Sequence, residues 1–115
     1  REEWMPPRGT RLFPAWAGSA REAAAAIAEE LAGQPLYVTV DIDVLDPAIA
    51  PGTGAPEPGG ITVPDLLGAL GQLGAARVIG FDLVEVSPRW DPSGRTVITA
   101  AALVRDAILT WWARR

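Results

Sequence analysis

Residues Leu36–Thr62 read LYVTVDIDVLDPAIAPGTGAPEPGGIT, and this stretch indicates the fold class more clearly than any other part of the chain. It begins as an apolar, β-branched run, passes through three aspartates (Asp41, Asp43 and Asp46), and opens into a loop rich in proline and glycine. A short apolar run that ends at such a loop is typical of a buried strand, which we place at Leu36–Val40. Ligands of open α/β sheets bind beyond the carboxyl ends of the strands. The three aspartates therefore lie where a metal ion or a substrate is expected.

The segments around this stretch predict further helices and one more strand. Capping boxes at Ser19–Glu22 and Thr62–Asp65 predict the starts of two helices, the first of about 13 residues. Arg77–Val84 (RVIGFDLV) is a second apolar strand, and a long final helix runs from Thr96 to the region of Ala113. This order predicts two parallel strands joined by a right-handed crossover. Both carboxyl ends then open onto the same edge of one sheet.

The apolar period also predicts which side chains are buried. We expect the first strand to be covered on both faces, because nearly all of its residues are apolar. Residues 1–18, which carry Trp4, Phe13 and Trp16, form an irregular lead-in to one domain over 1–115, with its regular elements in 19–113. The side chains expected to face the core are Ala20, Ala24, Ile27 and Leu31 in the first helix, Leu66, Leu70 and Leu73 in the second, and Val97, Ala101, Val104, Ile108 and Trp111 in the third.

The composition limits the chemistry that the chain can perform. It contains no Cys, His or Lys, and its ten basic residues are all Arg. A disulfide framework, a thiolate zinc site and a histidine base are thereby excluded, and a bound metal must use oxygen ligands, as Mg²⁺, Ca²⁺ or Mn²⁺ does. The formal charge is −4, without a dense basic patch or an apolar run of membrane-spanning length. Neither nucleic acid nor a membrane is therefore an expected partner. The chain starts at Arg1 without a recognisable signal peptide, and we expect it to be incomplete.

The paired aspartates are candidate metal ligands. Asp41 and Asp43 lie two residues apart, so a strand that continued through both would place both carboxylates on one face. Two carboxylates so placed repel each other unless a cation or a proton lies between them. Capping and turn roles, which short acidic side chains often take, are the competing interpretation. For Asp46, which precedes Pro47, we expect the carboxylate to shape the loop by accepting backbone N–H groups.

The second strand also ends at an acid. Glu85 follows it directly, and a carboxylate there can bind a guanidinium group through two charge-assisted hydrogen bonds. An ion pair with one of the arginines of the chain is the alternative role. Asp82, inside the strand, is expected to support the site or the sheet rather than to bind a ligand.

Two segments together carry a resemblance to a known family. DIDVLDPAIAPGTGAPEPGG (41–60) and FDLVEVSPRWD (81–91) resemble the C-terminal part of the ureohydrolases, the arginase/agmatinase family, and PEPGG and VEVSP are most similar to agmatinases. The resemblance implies the C-terminal portion of a three-layer α/β/α, doubly wound parallel sheet. It also implies a site for two Mn²⁺ ions, whose bridging hydroxide attacks a guanidinium carbon to give urea and an amine.

The resemblance assigns roles to three residues and implies a setting for the complete protein. Asp41 corresponds to a ligand that bridges the two manganese ions, Asp43 to a second metal ligand, and Glu85 to the acid that binds the substrate guanidinium. The implied substrate is agmatine or a similar guanidino compound. The complete protein is expected to be a cytoplasmic enzyme of polyamine metabolism that assembles as a trimer or hexamer.

Two departures from the family pattern limit what the chain can do. Ala55 occupies a position where the family usually has Thr, which removes one polar contact near the substrate. The other metal ligands of the family and its catalytic His belong to two His-containing N-terminal segments, which these residues do not include. No catalytic residue is therefore assigned here, and we expect this incomplete C-terminal part to be inactive alone.

Three other functional classes share some of these sequence features. A non-catalytic ureohydrolase-like module for oligomerisation or partner binding would fit the five Trp residues, of which Trp111 and Trp112 could form an exposed interface. A haloacid-dehalogenase-type phosphotransferase also places D-x-D after a strand, but it ordinarily uses a Lys, and the Pro/Gly loop does not fit it. A small structural domain would use these acids only as caps and in ion pairs.

Overall fold

The computed structural model of the chain describes residues 7–14 and 18–113, and all statements about contacts refer to them. The elements there follow the predicted order: α1 (Ala20–Glu30), β1 (Pro35–Asp41), α2 (Val63–Leu73), β2 (Arg77–Val84) and α3 (Arg95–Trp111), with short 3-10 turns at Ile42–Val44 and Pro88–Trp90. Trp4 and Trp16 of the lead-in lie outside the described residues. Of the three helices in the described ranges, none is long and apolar enough to cross a membrane.

Helices α1 and α2 begin at the predicted capping boxes. Ser19 Oγ accepts a hydrogen bond from the Glu22 N–H at 3.2 Å, and the Glu22 carboxylate accepts one from the Ser19 N–H at 3.1 Å. Thr62 and Asp65 form the same reciprocal pair, at 3.3 and 3.1 Å. Each box satisfies backbone donors that the first turn of a helix leaves without partners. The helix starts are thus confirmed, and α1 is two residues shorter than expected, at 11 residues.

The two strands pair in parallel, as predicted. The register places Val38 opposite Phe81 and Asp41 opposite Val84, after one irregularity at Leu36/Tyr37. The carboxyl ends of β1 and β2 consequently meet at one edge of the sheet. This pairing brings Asp41, the last residue of β1, and Asp43 close to Glu85, the residue that follows β2.

Only one face of the sheet is covered by helices in the described residues. Val38 and Val40 are buried with the core residues of α2 and α3, whereas Tyr37 is 59% exposed and Thr39 is exposed as well. The prediction that β1 is covered on both faces is therefore wrong for this part of the chain. Helices α2 and α3 pack on one side of the sheet, so the strand is half-buried although most of its residues are apolar.

The other face carries a polar cluster built around Asp82. The Asp82 carboxylate accepts hydrogen bonds from Tyr37 Oη at 2.7 Å and from Thr39 Oγ1 at 2.5 Å, and both lower its pKa. The Tyr37 ring lies across Gly80, where a Cβ atom would come within 2.6 Å of it. Asp82 thus cross-links β2 to β1, which agrees with the supporting role expected from its position inside the strand.

The buried face of helix α3 shares only Trp111 with the predicted one. Val97, Ala101 and Ile108 are exposed, and the prediction for them is wrong. The buried residues of α3 are Thr96, Ala100, Leu103, Ala107 and Trp111. The helix is apolar on most of its circumference, so the period alone does not choose a face. Packing against α2 and β2 makes that choice.

Trp111 is buried, as predicted from its place on the core face, and does not form the exposed interface of the non-catalytic alternative. Its side chain is 6% exposed, Nε1 donates a hydrogen bond to the Leu70 carbonyl oxygen at 3.1 Å, and its ring meets Phe81 edge-on at 5.3 Å between centroids. Trp112 is half-buried and packs against Trp111. Trp111 is therefore a core residue that joins α3 to α2 and β2.

Candidate active site

Asp41 and Asp43 are brought together by a turn. Strand β1 ends at Asp41, and Ile42–Val44 form a 3-10 turn whose first N–H groups need an acceptor. Asp41 Oδ1 accepts a hydrogen bond from the Asp43 N–H at 3.2 Å. A regular strand does not continue through Asp43, so the period-two argument does not describe this pair. Asp41 therefore takes the capping role that was the competing interpretation for these aspartates. The two carboxylates are still neighbours.

The electrostatic environment of Asp43 shows that several carboxylates converge here. Partial burial, and next the negative charge of Asp41, raise the pKa of Asp43 above its usual value. The charges of Glu85 and Glu57 act in the same direction. Four acidic side chains from β1, the following loop and the end of β2 thus contribute to one negative region.

Glu85 is held in an unusual backbone conformation. Its φ is +63°, in the left-handed region, where a residue with a Cβ atom is destabilised by roughly 1–2 kcal/mol. A Cβ atom built on Gly54 would lie 3.7 Å from Glu85 Oε2, so the carboxylate lies beside the Pro/Gly loop. Backbone strain of this kind persists only where the surroundings fix it, and it is common at functional sites.

Glu85 has no arginine partner within the described ranges. The two ion pairs found there join Arg11 to Glu30 and Arg105 to Asp106. The alternative of an internal ion pair for Glu85 is therefore not supported by this part of the chain. Its carboxylate is exposed at the edge of the sheet, beside Asp43.

Asp46 organises the loop between β1 and α2, as predicted. Its carboxylate accepts hydrogen bonds from the Ala48 N–H at 2.8 Å and from the Gly59 N–H at 2.9 Å, and these lower its pKa. A bridge between Leu45 and Ile61 closes the loop at its base. The loop thus has a defined shape despite its many Pro and Gly residues.

The carboxylates fit part of a metal site. Asp41 and Asp43 provide hard oxygen donors and a local repulsion that a divalent cation would relieve. In residues 7–14 and 18–113, no group of three or more His, Cys, Asp or Glu side chains is placed to hold a metal ion. Manganese and magnesium prefer octahedral oxygen coordination, which two carboxylates do not complete. The carboxylate oxygens of Asp41 and Asp43 are suitable ligands for such an ion, but they are too few to complete its coordination.

One buried polar cluster next to this site was not predicted from the sequence. Asp91 and Thr96 are almost fully buried and are hydrogen-bonded to each other, and Thr96 also contacts the Gly52 backbone. Hydrogen bonds from Ser93 and Thr96 hold the pKa of Asp91 well below its usual range. The only sequence signal was an acidic and a hydroxyl residue just ahead of a helix, a typical capping pattern.

Two loop residues near the acids were missed as well. Glu57 contributes its charge to the field around Asp43. Thr53 is 3% exposed, and its hydroxyl is buried without a hydrogen-bond partner among the described residues. Polar residues in a Pro/Gly loop are normally solvated, so sequence alone gave no reason to select either.

Comparison with known proteins identifies the family of this chain. Residues 12–110 match the model of the arginase family. The chain belongs to the arginase family. The ureohydrolase resemblance of the two motif segments is thus confirmed, and the two strands and three helices are a portion of the arginase-like α/β fold.

Several relatives of this arginase-family chain are agmatinases. It is 54% identical over 84 residues to an agmatinase of Halalkalibacterium halodurans, an alignment that covers 71% of this chain and 29% of the relative. It is 48% identical over 77 residues to proclavaminate amidinohydrolase of Streptomyces clavuligerus, covering 67% and 25%. A solved structure of a hypothetical agmatinase from Burkholderia thailandensis superposes with a TM-score of 0.85 at 38% identity, covering 98% of this chain and 37% of that one. The chain spans less than a third of the curated relatives that it matches.

Proposed function

We propose that this chain supplies the C-terminal part of an agmatinase-like active site, which hydrolyses a guanidino compound such as agmatine to urea and an amine. One observation carries the proposal: Asp41, Asp43 and Glu85 converge at the carboxyl edge of the sheet in a chain of the arginase family. The complete protein would be a cytoplasmic homo-oligomer.

The aspartates and the glutamate have separate tasks in this proposal. Asp41 and Asp43 would hold manganese with their carboxylate oxygens, and the cation, when bound, lowers the pKa of water enough to supply a nucleophile near neutral pH. Glu85 would accept two N–H groups of the guanidinium and so orient its carbon. The Pro/Gly loop beside Glu85 would border the substrate, with Ala55 offering a methyl group where the family usually offers a hydroxyl.

The chain does not contain every group that the reaction needs. It has no His to move a proton near neutral pH, and two carboxylates do not complete the coordination of two metal ions. We therefore propose that the remaining ligands come from residues N-terminal to this stretch in the complete enzyme, and that the 115 residues alone are inactive. The coding sequence upstream of Arg1 is expected to supply two His-containing segments in frame.

The non-catalytic module is the alternative, and the buried position of Trp111 removes part of its basis. A start codon directly before Arg1 would favour it. Urea released from agmatine by the purified 115-residue chain with manganese would contradict the proposal that this part is inactive alone.

Paramagnetic broadening by Mn²⁺ tests the metal ligands on the chain as it stands. We expect Mn²⁺ titrated into the ¹⁵N-labelled chain to broaden the amide signals of residues 41–44 and of Glu85 selectively over those at the opposite end of the strands, near Arg77, because weak oxygen sites still localise the ion. Asp41→Asn and Asp43→Asn should abolish this selectivity, since each removes one negative donor. Asp106→Asn, on α3, is the matched control and should change nothing. Equal broadening in Asp43→Asn and in the unsubstituted chain would remove Asp43 from the site.

A further inference from the structure

Asp91 is a buried carboxylate with four hydrogen bonds to its neighbours. Oδ1 accepts from the Ser93 N–H at 3.1 Å and from Ser93 Oγ at 2.5 Å. Oδ2 accepts from the Thr96 N–H at 2.8 Å and from Thr96 Oγ1 at 2.7 Å. The side chain thus binds the first turn of α3, whose N-cap residue is Gly94 and has no side chain to do so.

Thr96 connects Asp91 to the Pro/Gly loop, because its hydroxyl forms hydrogen bonds with both. A threonine hydroxyl has one proton, and the Thr96 hydroxyl donates it to Asp91. Its oxygen is thereby left to accept, and it accepts from the Gly52 N–H at 2.9 Å. Thr96 is fully buried, so no solvent competes for these bonds.

The Gly52 backbone joins the loop to the segment that follows Glu85. While its N–H binds Thr96, its carbonyl oxygen accepts from the Ser87 N–H at 2.7 Å. A Cβ atom on Gly52 would lie 2.9 Å from both Asp91 Cβ and Thr96 Oγ1, so only glycine permits this approach. Gly54 lies two residues after Gly52, and Glu85 lies two residues before Ser87; the Glu85 carboxylate lies beside Gly54.

We infer that Asp91 is a positioning residue for Glu85, acting through Thr96, the Gly52 backbone and Ser87. The left-handed backbone of Glu85 needs an external restraint, and this chain of hydrogen bonds holds the segment that follows it against a fixed loop. The effect on substrate rests on the proposed function, in which Glu85 binds the guanidinium. The effect on the backbone of Glu85 does not.

The intraresidue HN–Hα nuclear Overhauser effect of Glu85 tests the restraint without any substrate, because these two protons are closer together at a positive φ than at a negative φ. Thr96→Val keeps the volume of the side chain but removes the acceptor for the Gly52 N–H. We expect the Glu85 effect to weaken towards that of an averaged backbone and the Gly52 amide to exchange faster with solvent. Thr96→Ser should restore both values, and Thr99→Val, the same change elsewhere on α3, should leave them unchanged. Asp91→Asn replaces one accepting oxygen with an NH₂ group, which then faces the N–H and O–H donors of Ser93 or Thr96. This variant should act like Thr96→Val.

Agmatine titration then separates this inference from the proposed function. If agmatine shifts the Glu85 signals of the unsubstituted chain, we expect the affinity to fall by about tenfold in Thr96→Val and to stay within about twofold in Thr99→Val. An unchanged Glu85 HN–Hα Overhauser effect in both Thr96→Val and Asp91→Asn would overturn the inference. A weakened effect in these variants, in a chain whose Glu85 never responds to agmatine, would uphold the positioning and contradict the proposed guanidinium contact.

Discussion

Gly60 fixes the path of the loop by allowing two backbone segments to touch. A Cβ atom at this position would lie 2.5 Å from the Leu45 carbonyl carbon and 2.7 Å from the Val44 carbonyl oxygen. Both are main-chain atoms, which cannot rotate away as a side chain can. The contact brings the end of the loop back to its start, where Asp46 binds the Gly59 N–H.

We expect Gly60→Ala to lower the free energy of unfolding by about 1–3 kcal/mol, because the added methyl group must displace backbone atoms. Urea unfolding of the chain at neutral pH measures it. Gly71→Ala is the matched control: its Cβ atom would meet nothing within 4 Å, and in the interior of α2 alanine should raise stability by about 0.5–1 kcal/mol. A Gly60→Ala chain as stable as the parent would show that the loop does not close as described.

Helix and strand boundaries depend on residues that are close in sequence, whereas the face that a helix buries depends on the elements that it contacts. The capping boxes at Ser19 and Thr62 and the breaker residues near each helix end are close in sequence, so the boundaries of α1 and α2 could be predicted. The buried face of α3 could not, because Val97 and Ala100 are both apolar and only contact with α2 and β2 distinguishes them.

The cap of α2 gives a prediction at this scale. Thr62→Ala removes the acceptor for the Asp65 N–H and the donor to the Asp65 carboxylate, and we expect a loss of about 1 kcal/mol in the free energy of unfolding. Thr110→Ala, at an exposed position near the end of α3, makes the same chemical change and should stay within about 0.5 kcal/mol of the parent. Equal losses of stability in the two variants would show that the Thr62 cap does not stabilise α2.

For the whole molecule, most of the perturbed carboxylates stabilise the fold in their charged form. Hydrogen bonds lower the pKa values of Glu22, Asp46, Asp65, Asp82 and Asp91. A lowered pKa in the folded state contributes stability above the unfolded pKa, and that contribution is lost as the pH falls through the folded value. Asp43, whose pKa is raised, acts in the opposite sense.

We therefore expect the free energy of unfolding to be level above about pH 5 and to fall steadily below about pH 4, near the pKa of free carboxyl groups. Urea unfolding at a series of pH values measures this slope. Asp91→Asn should be less stable at neutral pH and show a shallower decline in acid, because it removes a group with a strongly lowered pKa. A decline with the same slope in Asp91→Asn would show that Asp91 is not linked to folding.

The order of elements, the parallel pair and the placement of Asp41, Asp43 and Glu85 at one edge could be predicted from the sequence. Element boundaries depend on residues that are close in the chain, and strands joined by a helical crossover pair in parallel and end at the same edge. The family could be predicted as well. The face of α3, the uncovered side of the sheet and the strained backbone of Glu85 could be found only in the folded structure. The link from Asp91 through Thr96 to Gly52 belongs to this second group, since it joins residues 44 positions apart in sequence. Such contacts depend on how the elements pack, and neither periodicity nor a local motif encodes that packing.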